Sequence, residues 1–275
     1  MRTMKNRYLL STVAGLLSCI LLIVSCKDDP SSVSEKPPTV PPASSMEMDF
    51  STLSNQKDGA QANSQQSVEN FGRAVVTGIV LKSIVEVNVA IPRALLTAAN
   101  NSDAELNENE EWEWSFSRTE RDTSFDVRLL ASRTEQDSVN WSFYVTNPDL
   151  ELDNQLFFDG TTNANGTEGV WAYYSIQNTG SQEQVSHLNW AINDENDIEL
   201  RLEVTSDRHG NQGDYIDYTY EDSLKTVVYY DNSEDAETEI QYNVNTKAGY
   251  IIAPNYNNGE KACWDENLQD VPCSE

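Results

Sequence analysis

A strict alternation of apolar and polar residues, which starts near Glu110, restricts this chain to a sheet-rich fold. Trp112, Trp114 and Phe116 alternate with polar neighbours, and a two-residue period places every second side chain on the same face of a strand. Further apolar runs follow at 125–129, 141–145, 156–158, 170–176, 185–192, 198–204, 215–220, 226–230, 240–244 and 250–252. The pattern predicts a sheet of about 9–11 half-buried strands.

Clusters of turn-forming residues separate these runs, as in DGTTNANGTEG at 159–169, SDRHGNQGD at 206–214 and DNSEDAE at 231–237. No helical pattern long enough for a parallel crossover lies between them, so we expect hairpin connections and antiparallel strands. A single sheet with so many strands curls or closes. We therefore expect a curled antiparallel β-meander or barrel.

The stretch Ser67–Asn101 predicts one long helix ahead of the sheet. Helical spacing holds for two sets of residues: Val68, Phe71, Val75 and Ile79, and then Val80, Ile84, Val87, Ile91 and Leu95. At about 100° per residue the two sets fall on different faces, and the change comes near Gly78. The helix is therefore either apolar nearly all round and buried, or broken at Gly78.

A strand over Ile84–Ile91 is the competing interpretation, because β-branched residues alternate there with other residues. Pro92 suits the first turn of a following helical piece that runs to Ala99. We expect a helix that fills the interior of the sheet, rather than a lid over a pocket. The predicted fold class is mainly β (α+β), with one long N-terminal helix packed in or against the meander or barrel.

The N-terminus has the layout of a secretory signal peptide, because a short basic stretch precedes the apolar run Tyr8–Val24. This run is shorter than the roughly 20 residues that cross a bilayer. The residues before Cys26, Ile23-Val24-Ser25, resemble a bacterial lipoprotein lipobox; Cys19 is a second, less favoured position. The resemblance implies that residues 1–25 are removed and that Cys26 carries acyl chains such as palmitate, which anchor the chain in a membrane.

Lys27-Asp28-Asp29, directly after that cysteine, resembles the acidic export signal of Bacteroidota lipoproteins, which implies an outer-membrane location at the cell surface. Five of the nine prolines lie in 27–66, and large apolar residues are sparse there. Such a composition does not bury enough surface to order itself. We therefore predict a disordered tether over 26–66 and a single domain over 67–275.

Cys263 and Cys273 are the cysteines that remain, and in an oxidising compartment an even remainder indicates a disulfide. The alternative is a metal site, but two thiols with no nearby histidine make a poor zinc site. The sequence thus predicts a C-terminal disulfide loop and no metal.

The net charge argues against two kinds of partner, nucleic acid and anionic lipid. Residues 1–25 hold three basic and no acidic residues, so their removal leaves 15 basic and 45 acidic residues, a net charge of −30. Phosphates of nucleic acid would be repelled, and so would anionic lipid headgroups. The predicted membrane contact is therefore made through acyl chains on Cys26.

Catalytic chemistry is sparse in this sequence. The two histidines, His187 and His209, are predicted on the outer face of a strand and in a hairpin loop. Neither a Gly-x-Ser-x-Gly elbow nor a His-Glu-x-x-His motif is present. The strand tryptophans Trp114, Trp141 and Trp171 could line a ligand pocket, although at period two they better suit a core packed against a helix. We predict no catalytic residue and no cofactor.

The order of single residues along 68–265 resembles a group of Bacteroidota lipoproteins built from a helix and a meander. The resemblance rests on Ile91-Pro92, Trp112 with Trp114, Trp141, Phe158 with Gly160, Gly169 with Trp171, Asn196 with Ile198, and Gly213 with Tyr215, Ile216 and Tyr218. It implies the fold and carries no activity. The expected function is a lipid-anchored, non-catalytic lipoprotein that binds a ligand or a protein or glycan partner. The alternatives are a purely structural lipoprotein with a filled barrel and a hydrolase that uses two carboxylates.

Overall fold

The computed structural model describes residues 36–54, 67–120, 123–176, 182–195, 197–207 and 210–273 of the 275-residue chain. Cys19 and Cys26, like Asn196 and His209, lie outside the described residues. The helical elements are a 3-10 turn at Ala43–Met46, α1 at Ser51–Ser54, α2 at Glu69–Ala99, and 3-10 turns at Pro148–Leu150 and Asn257–Gly259.

The strands are β1 Glu105–Leu106, β2 Trp112–Glu120, β3 Thr123–Arg133, β4 Ser138–Asn147, β5 Leu152–Asn163, β6 Glu168–Tyr174, β7 Gln184–Asp194, β8 Asp197–Val204, β9 Tyr215–Glu221, β10 Leu224–Asp231, β11 Ala236–Asn243, β12 Gly249–Ile252, β13 Ala262–Trp264 and β14 Asp270–Val271. They form one 14-stranded antiparallel sheet in chain order, and its two end strands do not pair with each other. The predicted mainly β fold with one long helix is confirmed, and within the described residues the sheet is an open meander rather than a barrel.

Alternation gives the sheet two distinct faces. One face, here called the inner face, carries the aromatic and aliphatic core, including Trp141, Phe143, Phe158 and Trp171. The other, the outer face, carries polar and charged side chains such as Arg201 and Asp217. All eleven predicted runs fall on β2–β12. The sequence did not indicate β1, β13 and β14, because two or three residues are too few to show a period.

Tryptophans of the inner face lie over glycines of neighbouring strands. Gly160 is opposite Trp141 on one side and Trp171 on the other. A β-carbon built on Gly160 would lie 2.4 Å from the Trp171 ring and 2.2 Å from the carbonyl oxygen of Val170. The same arrangement joins Gly249 to Trp264, where a β-carbon would lie 2.6 Å from the ring. Residues larger than glycine do not fit at these two positions, because the indole ring occupies the space that a side chain would need.

Helix α2 covers the inner face as one unbroken helix, so the competing strand over Ile84–Ile91 is wrong. It does not break at Gly78, where the missing side chain admits Leu53, 2.9 Å from the β-carbon position. Pro92 lies inside the helix rather than opening a new one. The expected all-round burial is also wrong, because an open sheet contacts the helix from one side. The opposite side of α2 is exposed to solvent.

Residues 37–54 depart from the expectation of a tether that reaches residue 66. They pack between α2 and the sheet through five buried apolar side chains: Val40, Met46, Met48, Phe50 and Leu53. The buried Lys225 ammonium forms an ion pair with Asp49 of this segment, and the Ser45 hydroxyl lies 3.4 Å from the Trp171 indole nitrogen. The average composition of the segment did not indicate these five buried side chains, because each is isolated among prolines and polar residues.

The C-terminus holds the first turn of α2 in place. A disulfide joins Cys263 to Cys273, as predicted, and the loop between them contains β14. The Asp270 carboxylate on β14 accepts hydrogen bonds from the backbone N–H groups of Glu69 and Asn70, at 3.3 and 3.0 Å. These donors have no partner within the helix. Asp270 therefore caps α2 across 200 residues of sequence.

Candidate functional site

The tryptophans considered as ligand contacts belong to the packed core. Trp114, Trp141 and Trp171 are 3%, 1% and 0% exposed. The Trp114 and Trp141 rings lie 5.9 Å apart, and the Trp141 indole N–H donates to the Thr162 hydroxyl at 3.0 Å. Trp171 stacks on Trp190 with ring centroids 6.5 Å apart. Their ring faces contact other protein groups, so in this structure they present no open surface to a ligand.

His187 lies on the outer face of β7, in agreement with the alternation. Its Nε2 atom is 3.6 Å from a carboxylate oxygen of Glu203, its cross-strand neighbour on β8. Both side chains are partly exposed. This pair borders a more extensive polar groove on the same face.

The outer face of β6–β9 contains a groove of about 540 Å³. Short side chains at Ala191 and Thr219 leave the space. The polar lining comes from Glu168, Asn189, Glu199, Arg201 and Asp217, and the inward-facing Gly169, Trp190, Leu200 and Tyr218 complete the lining. The volume is within the ~300–1,000 Å³ typical of small-molecule sites. We refer to this site as the Arg201 groove.

Cross-strand register places the polar residues of the Arg201 groove side by side. Asn189, Arg201 and Asp217 are directly opposite one another on β7, β8 and β9. In each strand they occupy the outward phase of the alternation, while Trp190, Leu200 and Tyr218 occupy the inward phase and anchor the strands in the core. A rigid sheet thus fixes the spacing of these functional groups.

Arg201 is held on two sides. Its Nη1 atom donates to both carboxylate oxygens of Asp217, at 2.8 and 3.1 Å, and its guanidinium carbon lies 3.7 Å from the Tyr215 ring centroid. Tyr215 in turn stacks on Tyr230, with centroids 5.1 Å apart. Among the described residues, the hydrogen bonds of Arg201 use Nη1 alone. The other guanidinium N–H groups, on a side chain that is 40% exposed, can donate to a ligand.

The Asp217 carboxyl carries opposing influences. Burial raises the pKa of Asp217 and the nearby Glu203 carboxylate adds to the rise, whereas the Arg201 guanidinium acts to lower it. The net direction is upward. The Arg201 contact at 2.8 Å thus compensates only part of the desolvation of this carboxylate.

A second, smaller groove of about 410 Å³ lies on the outer face of β2–β5. Arg128 stacks there on Tyr144, with the guanidinium carbon 5.3 Å from the ring centroid. Asp126 accepts a hydrogen bond from Ser117 at 2.7 Å. This site has an arginine on an aromatic ring without a bound carboxylate partner among the described contacts, so it provides a natural control for the Arg201 groove.

Two carboxyl groups have a raised pKa and are therefore candidates for a hydrolytic pair. Among the described residues, the Asp and Glu side chains whose pKa is raised are Asp159 and Asp217, and burial is the main cause in both. They lie on β5 and β9, four strand positions apart in the sheet. Measured along the sheet, at about 4.8 Å per strand, this is roughly 19 Å. A glycosidase needs its two carboxyl groups within ~10 Å, so these two do not form such a pair.

In the part of the chain that the structure describes, no group of three or more His, Cys, Asp or Glu side chains is placed to hold a metal ion.

Comparisons with known proteins return no match to a family model, a curated protein or a solved structure. Sequence reasoning did not identify Arg201 or Asp217, because their proximity depends on the register of two hairpins. The signal in the sequence that could have indicated this site was Arg201, a basic residue at a polar position of a predicted strand in a strongly acidic chain.

Proposed function

We propose that this chain is a lipid-anchored, non-catalytic lipoprotein of the outer membrane or cell surface, and that it binds a ligand in the Arg201 groove. The observation that supports binding most strongly is the groove itself: a rigid concave surface with a fixed guanidinium, an amide and three carboxylates. Anchoring through Cys26 rests on the N-terminal sequence.

The chemistry of the groove favours a neutral, hydroxyl-rich ligand such as a glycan. Arg201 supplies donors, Glu168, Glu199 and Asp217 supply acceptors, and Asn189 supplies both. A hydroxyl group donates and accepts at once, so neighbouring hydroxyls can satisfy this mixed set. A phosphorylated or nucleic-acid ligand would be repelled by the three carboxylates of the groove and by the net charge of −27 on the chain.

Binding to soluble neutral oligosaccharides tests this part of the proposal. We would titrate the exported chain with cello-, xylo-, malto- and manno-oligosaccharides by calorimetry. Removing one good charged hydrogen bond costs about 1.5–3 kcal/mol, so Arg201→Ala should weaken binding by roughly 10- to 150-fold. Arg201→Lys keeps the charge but loses the planar fork, and it should also weaken binding.

Arg128→Ala is the matched control, since it also removes an arginine stacked on a tyrosine of the outer face. We expect it to leave affinity unchanged. If Arg128→Ala abolished binding and Arg201→Ala did not, the site would lie in the smaller groove. If no oligosaccharide bound the wild-type chain, the glycan assignment would be refuted.

Anchoring requires a separate test. In cells fed labelled fatty acid, we expect the wild-type chain to take up label and to fractionate with the outer membrane, and Cys26→Ser to do neither. Cys19→Ser serves as the control, because cleavage before Cys26 removes it. Continued labelling of the Cys26→Ser chain would contradict the proposed attachment site.

A further inference from the structure

The side of α2 that faces away from the sheet is apolar, and among the described residues no helix or strand covers it. Its exposed side chains are Val76, Ile79, Val80, Val87 and Ile91, which we call the apolar stripe. Ile79 and Val80 follow Val76 by three and four residues, Val87 follows Val80 by seven, and Ile91 follows Val87 by four, so all five lie on one helix face. Val87 is 87% exposed, which is unusual for a β-branched aliphatic residue on a helix that packs in a core. Exposed aliphatic side chains grouped on one helix face indicate an interaction surface.

The charges around the apolar stripe differ from those of the rest of the chain. Helix α2 carries three basic and two acidic residues, while the whole chain has a net charge of −27. Lys82, Glu86 and Arg93 flank the stripe, and Glu86 and Arg93 are paired at 3.0 Å. Two copies of so acidic a chain repel each other. An uncharged lipid surface that contacts the apolar stripe is not repelled electrostatically in this way.

The route of the chain brings a lipid surface within reach of α2. The Asn100 side chain, at the C-terminal end of α2, donates to the Pro41 carbonyl oxygen at 3.1 Å. The described N-terminal segment therefore begins beside this helix. Only the ten residues 27–36 separate the proposed lipid attachment at Cys26 from Pro37, and even fully extended this stretch spans at most about 40 Å. By length and composition alone, helix α2 is also long and apolar enough to cross a membrane.

We propose that the apolar stripe docks flat on the surface of the bilayer that holds the lipid anchor. This inference rests on the proposed anchoring at Cys26. The buried side of α2 stays on the sheet, and the five aliphatic side chains enter the interface, as in other interfacial helices. Because α2 lies on the inner face, docking directs the outer face, with the Arg201 groove, away from the membrane. The short tether then serves to concentrate the helix at the lipid surface.

Depth-dependent quenching tests the docking. The lipidated full chain is reconstituted in neutral phosphatidylcholine vesicles that contain a brominated lipid. An environment-sensitive fluorophore is attached to one added cysteine, in Val87→Cys on the stripe or in Val170→Cys on the outer face of β6. Val170 is also exposed and aliphatic. The two labels therefore differ in location, since one lies on helix α2 and the other on the outer face of the sheet. Insertion of the stripe by about 5–10 Å should quench the Val87→Cys label roughly threefold more strongly.

Each outcome of this experiment is decisive. Vesicle flotation of the labelled chain reports the anchoring by itself, and failure to float would overturn both the anchoring and the docking. Flotation with equal quenching at the two positions would overturn the docking and leave the anchoring intact. Oxidative cross-linking of unlabelled Val87→Cys into a dimer on the vesicles would show that the stripe is covered by a second copy, which also overturns the inference. A Val80→Glu substitution in the labelled Val87→Cys chain should reduce its quenching to the level of the Val170→Cys label.

Discussion

Substitution of Gly249 by alanine is expected to destabilise the protein more than any change of equal size on its surface. The added β-carbon would lie 2.2 Å from the Gln241 carbonyl oxygen and 2.6 Å from the Trp264 ring. The carbonyl belongs to a strand ladder, and the indole N–H donates to the Lys247 carbonyl at 2.6 Å. Neither neighbour can move without loss of a hydrogen bond.

The expected cost is about 3 kcal/mol, because both contacts are more than an ångström too close and overpacking of a core costs ~1–3 kcal/mol or more. This is a large share of a typical folding free energy of ~5–15 kcal/mol. Urea denaturation followed by tryptophan fluorescence measures it as a lower transition midpoint at an unchanged slope.

Two control glycines separate steric clash from other effects. A β-carbon at Gly72 in α2 would meet no atom within 4 Å, so Gly72→Ala should stabilise the protein by about 0.5–1 kcal/mol through helix propensity. Gly259 also has open space but a φ of +79°, so Gly259→Ala should cost only about 1 kcal/mol of backbone strain. If Gly249→Ala cost no more than Gly259→Ala, the argument that indole rings fill the glycine positions would be refuted.

Further predictions concern the ion pair between Lys225 and Asp49, the Asp270 helix cap and the net charge. Burial acts to raise the pKa of Asp49, but hydrogen bonds from Lys225 and Ser51 prevail and lower it. The pair therefore stabilises the fold above the unfolded carboxyl pKa of about 4 and loses this effect as pH falls below it. Asp49→Asn, at a side chain that is 43% exposed, should cost about 2 kcal/mol at pH 7, with a difference from wild type that shrinks in acid urea melts; a pH-independent difference would contradict the ion pair. Asp270→Ala should lower stability by about 1 kcal/mol, and an unchanged thermal midpoint would dismiss the long-range cap. Sodium chloride at about 1 M should raise the thermal midpoint, because it screens the self-repulsion of the acidic chain; a flat salt profile would exclude that repulsion as a significant cost.

The strands were predictable because their pattern is local. Runs such as Trp112–Phe116 and 198–204 record burial on one face directly in the alternation, and the cysteine count predicted the disulfide. The placement of residues 37–54 was not predictable, since isolated anchors such as Phe50 contribute little to an average composition. The exposed side of α2 was missed for the opposite reason, because an apolar residue such as Val87 was taken to be buried.

The candidate site was less predictable than the fold, because it depends on contacts distant in sequence. Arg201 and Asp217 are sixteen residues apart, and they meet only because the β8–β9 hairpin aligns them. A shift of that register by one residue would move Asp217 to the inner face. The strand tryptophans were candidates for ligand contacts because they are large and aromatic, and the same two properties explain why they are buried in the core.

Arginine side-chain NMR during an oligosaccharide titration is the most direct test of the proposed binding groove. Among the described residues, the groove contains one arginine, Arg201, while Arg128 lies in the smaller groove of the same face. We would add an oligosaccharide whose binding has been detected by calorimetry. The Arg201 Nε–H signal should then shift in proportion to the fraction of protein with bound oligosaccharide, and the Arg128 signal should not shift. Saturable binding that left the Arg201 signal unchanged would contradict the assignment of the Arg201 groove as the binding site.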